Sequence, residues 1–196
     1  MIYQNKIMRI VPFERDKHFN ETYYSWFHDA DVTRYNSHGL FPYTAAAREE
    51  FMRTIEQGST SKIIWAIEVL NPEYDNWKKS STLCNPPEGW IHIGNVSLQS
   101  INWINRSAEL AIVLGQHRGK GYGLQACQWV MEHAFEKLNL HRVWTGTASV
   151  NIAMRKICEK LVMTNEGVFR DGMFLDGKYT DIMTFARLSN DLKITE

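Results

Sequence analysis

Residues 116–124 read Gln-His-Arg-Gly-Lys-Gly-Tyr-Gly-Leu, between an apolar run, Ala108 to Leu114, and a long amphipathic stretch, Gly121 to Leu138. The run reads as a buried strand and the stretch as a helix. A glycine-rich, basic loop that opens a helix constrains the fold more than any other segment. The first N–H groups of a helix have no intrahelical acceptor, and the helix dipole adds positive potential there. Glycines let that backbone approach a ligand closely. The combination predicts an anion site, most often for phosphate. Two common phosphate loops are excluded by spacing: no Ser or Thr follows Gly119-Lys120, and the dinucleotide G-x-G-x-x-G is not the pattern present. The pattern left is [Q/R]-x-x-G-x-[G/A], carried by Gln116, Gly119 and Gly121.

The flanking chain reads as alternating strands and helices. Residues 6–13 form a first strand. Phe19, Tyr23, Trp26, Phe27 and Ala30 follow with helical spacing, ending at Asp29-Ala30-Asp31. Thr44 caps a second helix that buries Phe51 and Ile55 and stops at Gly58. Strands are expected at 63–70, 90–100, 107–114 and 141–149, and a helix at 151–161 with Met154, Ile157, Cys158 and Leu161 on one face. Val168-Phe169 and Ile182 to Leu188 close the chain, with Asp176-Gly177 favoured over Asp171-Gly172 as the hairpin tip. Residues 71–89, with three prolines and no periodicity, read as a long loop. Loops of that length are uncommon in compact domains, and two readings stand: a neutral insertion, or a lid over a substrate site.

With 196 residues, one domain is expected over 1–196. Lys+Arg and Asp+Glu both number 22. That balance argues against a nucleic-acid or membrane partner recognised through overall charge. Three cysteines without CxxC spacing argue against a disulfide framework or a zinc cluster. No metal site is expected. Met1 to Arg9 lacks an apolar signal core and no stretch approaches a membrane span, so a cytoplasmic protein is expected.

The loop pattern, placed after an apolar strand and before a helix, resembles the pyrophosphate loop of the GCN5-related N-acetyltransferases (GNAT). Asn151 at the start of a later helix, Leu138 to Val143 at the start of a strand, and Glu166-Gly167 through Gly177-Lys178-Tyr179-Thr180-Asp181 extend the resemblance. They point to the branch holding ribosomal-protein alanine, polyamine and amino-sugar acetyltransferases. The resemblance covers residues 91–188 well and 6–70 in outline. It implies a single α/β (α+β) domain: a mixed, mostly antiparallel sheet of six to seven strands, flanked by about four helices and splayed at the family's fourth and fifth strands. It implies acetyl-CoA as co-substrate, held by Ile112, Val113, Leu114, Arg118, Gly119, Lys120, Gly121, Tyr122, Gly123 and Asn151. A primary amine of a small molecule, such as an amino sugar, or a protein N-terminus would accept the acetyl group by direct transfer. A homodimer is compatible with it.

Glu109 is the one carboxylate inside the 107–114 strand and must face water, a cavity or a partner. The resemblance implies a general base there; a structural carboxylate paired with an arginine such as Arg106 is the alternative. Many family members carry a tyrosine as leaving-group acid where this chain has Cys158. That thiol is either the acid or a plain buried cysteine on an apolar stripe. The acceptor region, Trp26, Tyr35, His38 and Phe41, is aromatic and nearly neutral. A polyamine needs several carboxylates, so aromatic faces here suit a sugar, a nucleobase or a peptide end better. The altered motif around Cys158 leaves a second class open: an acetyl-CoA-binding domain without catalysis.

Overall fold

The computed structural model describes residues 2–36, 40, 44–71, 73 and 89–193. Its frame is one eight-stranded sheet: β1 (Tyr3–Gln4), β2 (Met8–Pro12), β3 (Ile63–Leu70), β4 (Trp90–Asn102), β5 (Ser107–Leu114), β6 (Arg142–Ala148), β7 (Thr164–Leu175) and β8 (Lys178–Leu188). The spatial order is β1-β2-β3-β4-β5-β6-β8-β7. All neighbours are antiparallel except β5 and β6, which are parallel. The expected six to seven strands become eight because residues before the first expected strand add a two-residue β1 against β2.

Six helices are described: α1 (Arg15–His18), α2 (Glu21–Trp26), α3 (Ala30–Thr33), α4 (Ala45–Glu56), α5 (Tyr122–Glu136) and α6 (Ile152–Lys160). The single stripe from Phe19 to Ala30 is broken up by local capping. The Asn20 side chain accepts from the Tyr23 N–H and starts α2; Asp29 accepts from the Asp31 N–H and starts α3. Such competition of short polar side chains with the helix ladder raises the count above four. Thr44 Oγ1 caps α4 through the Ala47 N–H, as expected.

Burial alternates between the two sheet faces. On one, α5 and α6 cover Ile10, Ile67, Val96, Leu98, Ala108, Leu110 and Val143. Burying each Val, Leu or Met there is worth about 1.5–3 kcal/mol. On the other, α1 to α4 bring Phe19, Tyr23, Trp26 and Met52 onto Val11, Phe13 and Ala66. Polar groups tie that second layer down. His18 is buried; its Nδ1 accepts from the Glu14 N–H, so its Nε2 donates to Glu68 at 3.0 Å. Arg9 completes an ion pair with the same carboxylate. His92 donates from Nε2 to the Asn95 side chain (2.9 Å) and the Gly94 carbonyl (3.0 Å). Burial holds its pKa down to about 4, so it is neutral at physiological pH.

The closing hairpin is longer than expected. Asp176 and Gly177, both at positive φ, form its tip. Asp171, also at positive φ, instead sits in a register shift inside β7. Most of 71–89 lies outside the described residues. At its ends β3 and β4 pair as Leu70↔Trp90, and the Asn71 N–H donates to the Gly89 carbonyl at 3.0 Å.

Candidate active site

Two features of β5 and its surroundings build the site. The first is a gap in the sheet. β5 and β6 pair only at Ser107↔Arg142, Ala108↔Val143 and Glu109↔Trp144. From Leu110 onward β5 pairs only with β4, and from Thr145 onward β6 pairs only with β8. The two strands therefore diverge from an apex at Glu109 and Trp144 and leave backbone groups facing a cleft. Five residues separate Glu109 from Leu114, so at about 3.3 Å per residue the cleft edge is roughly 16 Å long.

The second feature is the loop at the open end of that cleft. His117, Gly119 and Gly121 all have positive φ, at 53°, 80° and 87°. Alternating left-handed residues turn successive N–H groups toward one side and form an anion nest. A Cβ at Gly119 or Gly121 would meet nothing within 4 Å, so backbone conformation, not space, requires glycine there. Gly121 is the N-cap of α5 and carries no side-chain cap, which leaves the helix's first N–H groups free for a ligand. Tyr122 opens α5 and Gly123 is buried in its first turn; a Cβ at Gly123 would lie 3.1–3.3 Å from Leu114 and Ile112. Ile112 and Leu114 thus fasten the helix start to the strand, while Val113 faces the opposite side.

The basic side chains of the loop have partners. Arg118 lies 3.4 Å from Asp29, and Lys120 Nζ lies 3.3 Å from His117 Nδ1. Asp29 also caps α3, so it joins the α2–α3 connection to the anion loop. At the far end of α3, Arg34 pairs with Asp176 on the closing hairpin at 2.8 Å. α3 therefore spans from the loop to the hairpin tip. Its sequence signal is only a short Asp-rich break, and neither ion pair is visible without the fold.

Glu109 faces the α1–α4 side of the sheet, because its neighbours Ala108 and Leu110 are buried under α5. It is half-buried, and among the described residues its carboxylate makes no hydrogen bond or ion pair. Desolvation raises its pKa above the usual carboxylate value. Arg106, the expected structural partner, instead reaches the Asn139 side chain at 3.5 Å. Cys158 lies in the α5–α6 core with no exposed surface, and burial pushes its thiol up to about 11. A thiol so enclosed reaches no leaving group in the cleft unless α6 moves. Asn151 caps α6 through the Met154 N–H (3.2 Å) and donates to Thr147 Oγ1 (2.9 Å).

Of the expected acceptor residues, Trp26 is only 4% exposed and its indole lies flat against Gly115, at the root of the anion loop. Its contacts are those of a core residue. Tyr35 is partly exposed beneath the Arg34 guanidinium, 5.7 Å from ring centre. His38 and Phe41 lie outside the described residues. On the hairpin, Phe174 and Tyr179 are well exposed and their rings pair at 5.1 Å beside the Asp176-Gly177 tip. Sequence spacing gave no reason to place them near Arg34. Among the described residues no group of His, Cys, Asp or Glu is arranged to hold a metal, and no helix is long and apolar enough to cross a membrane.

The family described as Acetyltransferase (GNAT) domain matches residues 8–164. A spermidine N(1)-acetyltransferase of Vibrio cholerae is 33% identical over 91 residues, 46% of this chain and 53% of that protein. YdaF of Bacillus subtilis, whose name provisionally assigns it as a ribosomal N-acetyltransferase, is 31% identical over 99 residues, 50% of this chain and 54% of that protein. The chain thus spans about half the length of these curated relatives. In three dimensions the likeness is wider. The Vibrio cholerae spermidine N-acetyltransferase crystallised with CoA and spermine superposes with a TM-score of 0.73 at 21% identity, over 95% of this chain and 98% of that one.

Proposed function

The chain belongs to the GNAT acetyltransferase family, and from that premise we propose that it is an acetyl-CoA-dependent N-acetyltransferase acting on a primary amine by direct transfer. The observation that carries this reading is the cleft between β5 and β6, open at the anion nest and closed at a desolvated carboxyl. The nest at 117–121 and the free N–H groups of α5 suit a pyrophosphate. The unpaired edge from Leu110 to Leu114 suits an amide-bearing pantetheine arm. The structural neighbour crystallised with CoA supports the same co-substrate.

The acetyl thioester supplies an electrophilic carbonyl and a thiolate leaving group. The protein's part is to bring the amine there and move its protons. Glu109, at the apex, takes one proton from the arriving ammonium, and its raised pKa makes it the stronger base. The freed nitrogen forms the new C–N bond as the C–S bond breaks, and the second proton lost from nitrogen goes to the thiolate. Cys158 stays in the core, and no described side chain in the cleft replaces it as acid, so solvent carries that second proton. Holding both reactants at the apex does the rest, by proximity.

The acceptor we infer is a small-molecule amine, such as an amino sugar, or a peptide N-terminus. Related proteins are named for spermidine, yet here Asp29 and Asp176 are both paired with arginines. Neither offers a free negative charge to a polycation, while partly exposed Tyr35 and exposed Phe174 and Tyr179 offer ring faces. We read residues 71–89 as an insertion at a closed hairpin neck, and the protein as cytoplasmic. The test is turnover of an amine panel (amino sugars, dipeptides, polyamines) with acetyl-CoA, beside calorimetric binding of coenzyme A. Binding that survives Gly121→Asp, with the fold intact, overturns the cofactor assignment. Binding without turnover of any amine favours the non-catalytic alternative.

A further inference from the structure

Glu109 has a neighbour that neither motif nor charge singles out. In the parallel pairing at the apex it stands in register with Trp144. Residues in register on adjacent strands project from the same face of a sheet. Val143 is buried in the α5–α6 core, so Trp144 projects with Glu109 from the face toward α1 to α4. Its indole is partly exposed, and its N–H has no hydrogen-bond partner among the described residues. The indole therefore belongs to neither the packed core nor an internal hydrogen bond, and its ring is open to a ligand in the cleft.

Beyond Trp144 the walls of the cleft narrow in side-chain size. On β5 the same face continues as Ala111 and Val113; on β6 it continues as Gly146 and Ala148. Gly146 is exposed, although the rest of the strand is covered. The walls are thus small along their whole length and become large and polar only at the closed end. That end presents one carboxyl and one aromatic ring side by side. A primary amine reaches the protein as an ammonium ion at neutral pH. A carboxylate binds such a cation through charge-assisted hydrogen bonds, and an electron-rich ring face binds it through cation–π attraction.

We propose that Trp144 is a specificity-determining residue of the acceptor site, holding the incoming ammonium against Glu109 through its indole face at the apex of the β5–β6 cleft. This rests on the acetyltransferase reading above and adds how the acceptor is recognised: as a cation first, and as a nucleophile only after Glu109 has taken its proton. Recognition by ring face selects for positive charge on the acceptor and discriminates against an amine that is neutral at the working pH.

The experiment compares wild type with Trp144→Leu and Trp144→Phe, using the best acceptor from the amine panel. Trp144→Leu should raise the acceptor KM about 3- to 30-fold, the span of a cation–π contact from exposed to desolvated. Trp144→Phe keeps a ring face and should recover most of that loss. The acetyl-CoA KM should hold steady in both, because the anion nest is distant. An acceptor KM unchanged in Trp144→Leu, or no better in Trp144→Phe than in Trp144→Leu, overturns the inference while leaving the acetyltransferase reading in place. No turnover by the wild type, with coenzyme A bound, overturns both. If Trp144→Leu fails to fold, the comparison of Trp144→Phe and Trp144→Tyr with wild type decides: loss of acceptor affinity in both ring-bearing variants counts against the ring-face contact.

Discussion

Gly115→Ala tests the joint between the acceptor-side helices and the cofactor loop. An added Cβ would sit 2.0 Å from Trp26 Cδ2, 2.1 Å from Cε2 and 2.3 Å from Cγ. Ordinary contact begins near 3.4 Å, so the shortfall is well over an ångström. The three atoms belong to one rigid ring, and that ring is 4% exposed against Tyr23 and His92. No flexible end can swing away; the indole must move as a body or the strand end must shift. Overpacking of this kind costs typically 1–3 kcal/mol, and a clash with buried ring atoms belongs at the upper end, about 3 kcal/mol. Gly115 does not have positive φ, so backbone strain adds nothing and the cost is spatial. For a chain of this size the expected fall in Tm is roughly 6–12 °C. Coenzyme A affinity should fall with it, because residues 116–121 follow directly. Calorimetry and equilibrium denaturation measure the first, titration calorimetry the second. In a Trp26→Leu background the same Gly115→Ala change should cost less than about 1 kcal/mol, a coupling of about 2 kcal/mol. A loss under about 0.5 kcal/mol in the wild-type background, or full additivity in the double mutant, refutes the reasoning.

Three further outcomes are expected of the site and its supports. Glu109→Gln should lower kcat by roughly 10²–10⁴-fold and leave coenzyme A affinity unchanged; it should also flatten the acid limb of kcat/KM, which in the wild type rises with pH through a pKa above the ordinary carboxylate value. Cys158→Ala should leave turnover intact while costing stability, about 1 kcal/mol for a small buried group; a hundredfold loss of kcat with the fold preserved would return the thiol to the mechanism. His92 titrates near 4 in the fold against 6.5 when free, so its contribution to stability is present above pH 6.5 and lost as pH falls toward 4. The full span is about 3 kcal/mol, and chemical denaturation of His92→Gln across that range should show a shallower pH slope than wild type.

Local signals made much of the fold and part of the site legible. The loop at 116–124 announced itself because its glycines, charges and flanking elements lie within one short segment. β3 and β5 match their expected limits because both are apolar runs bounded by turn residues. Thr44 and Asp176-Gly177 were readable as cap and turn because such chemistry depends on a few adjacent residues. The features that escaped were non-local. Trp26 sits on a helical stripe in either reading, and only the approach of Gly115 decides that its ring packs inward. Trp144 meets Glu109 through strands 35 residues apart in sequence, so their shared face depends on a parallel register that no local pattern encodes. Arg34 and Asp176 are still further apart and meet only once α3 is laid across the cleft. Helix number was misjudged for the opposite reason: Asn20 and Asp29 made local bonds that a periodicity count ignores.

The neck at Asn71 and Gly89 gives the molecule an attachment port. The two strands zip up to Leu70↔Trp90 and one more backbone bond closes the neck, so the register of β3 on β4 is held by bonds on the sheet side of that neck. Ring-closure entropy grows only logarithmically with length, about 0.6 kcal/mol for each doubling. A reporter domain, an affinity handle or a targeting module whose own ends lie close together could be grafted there at little thermodynamic penalty.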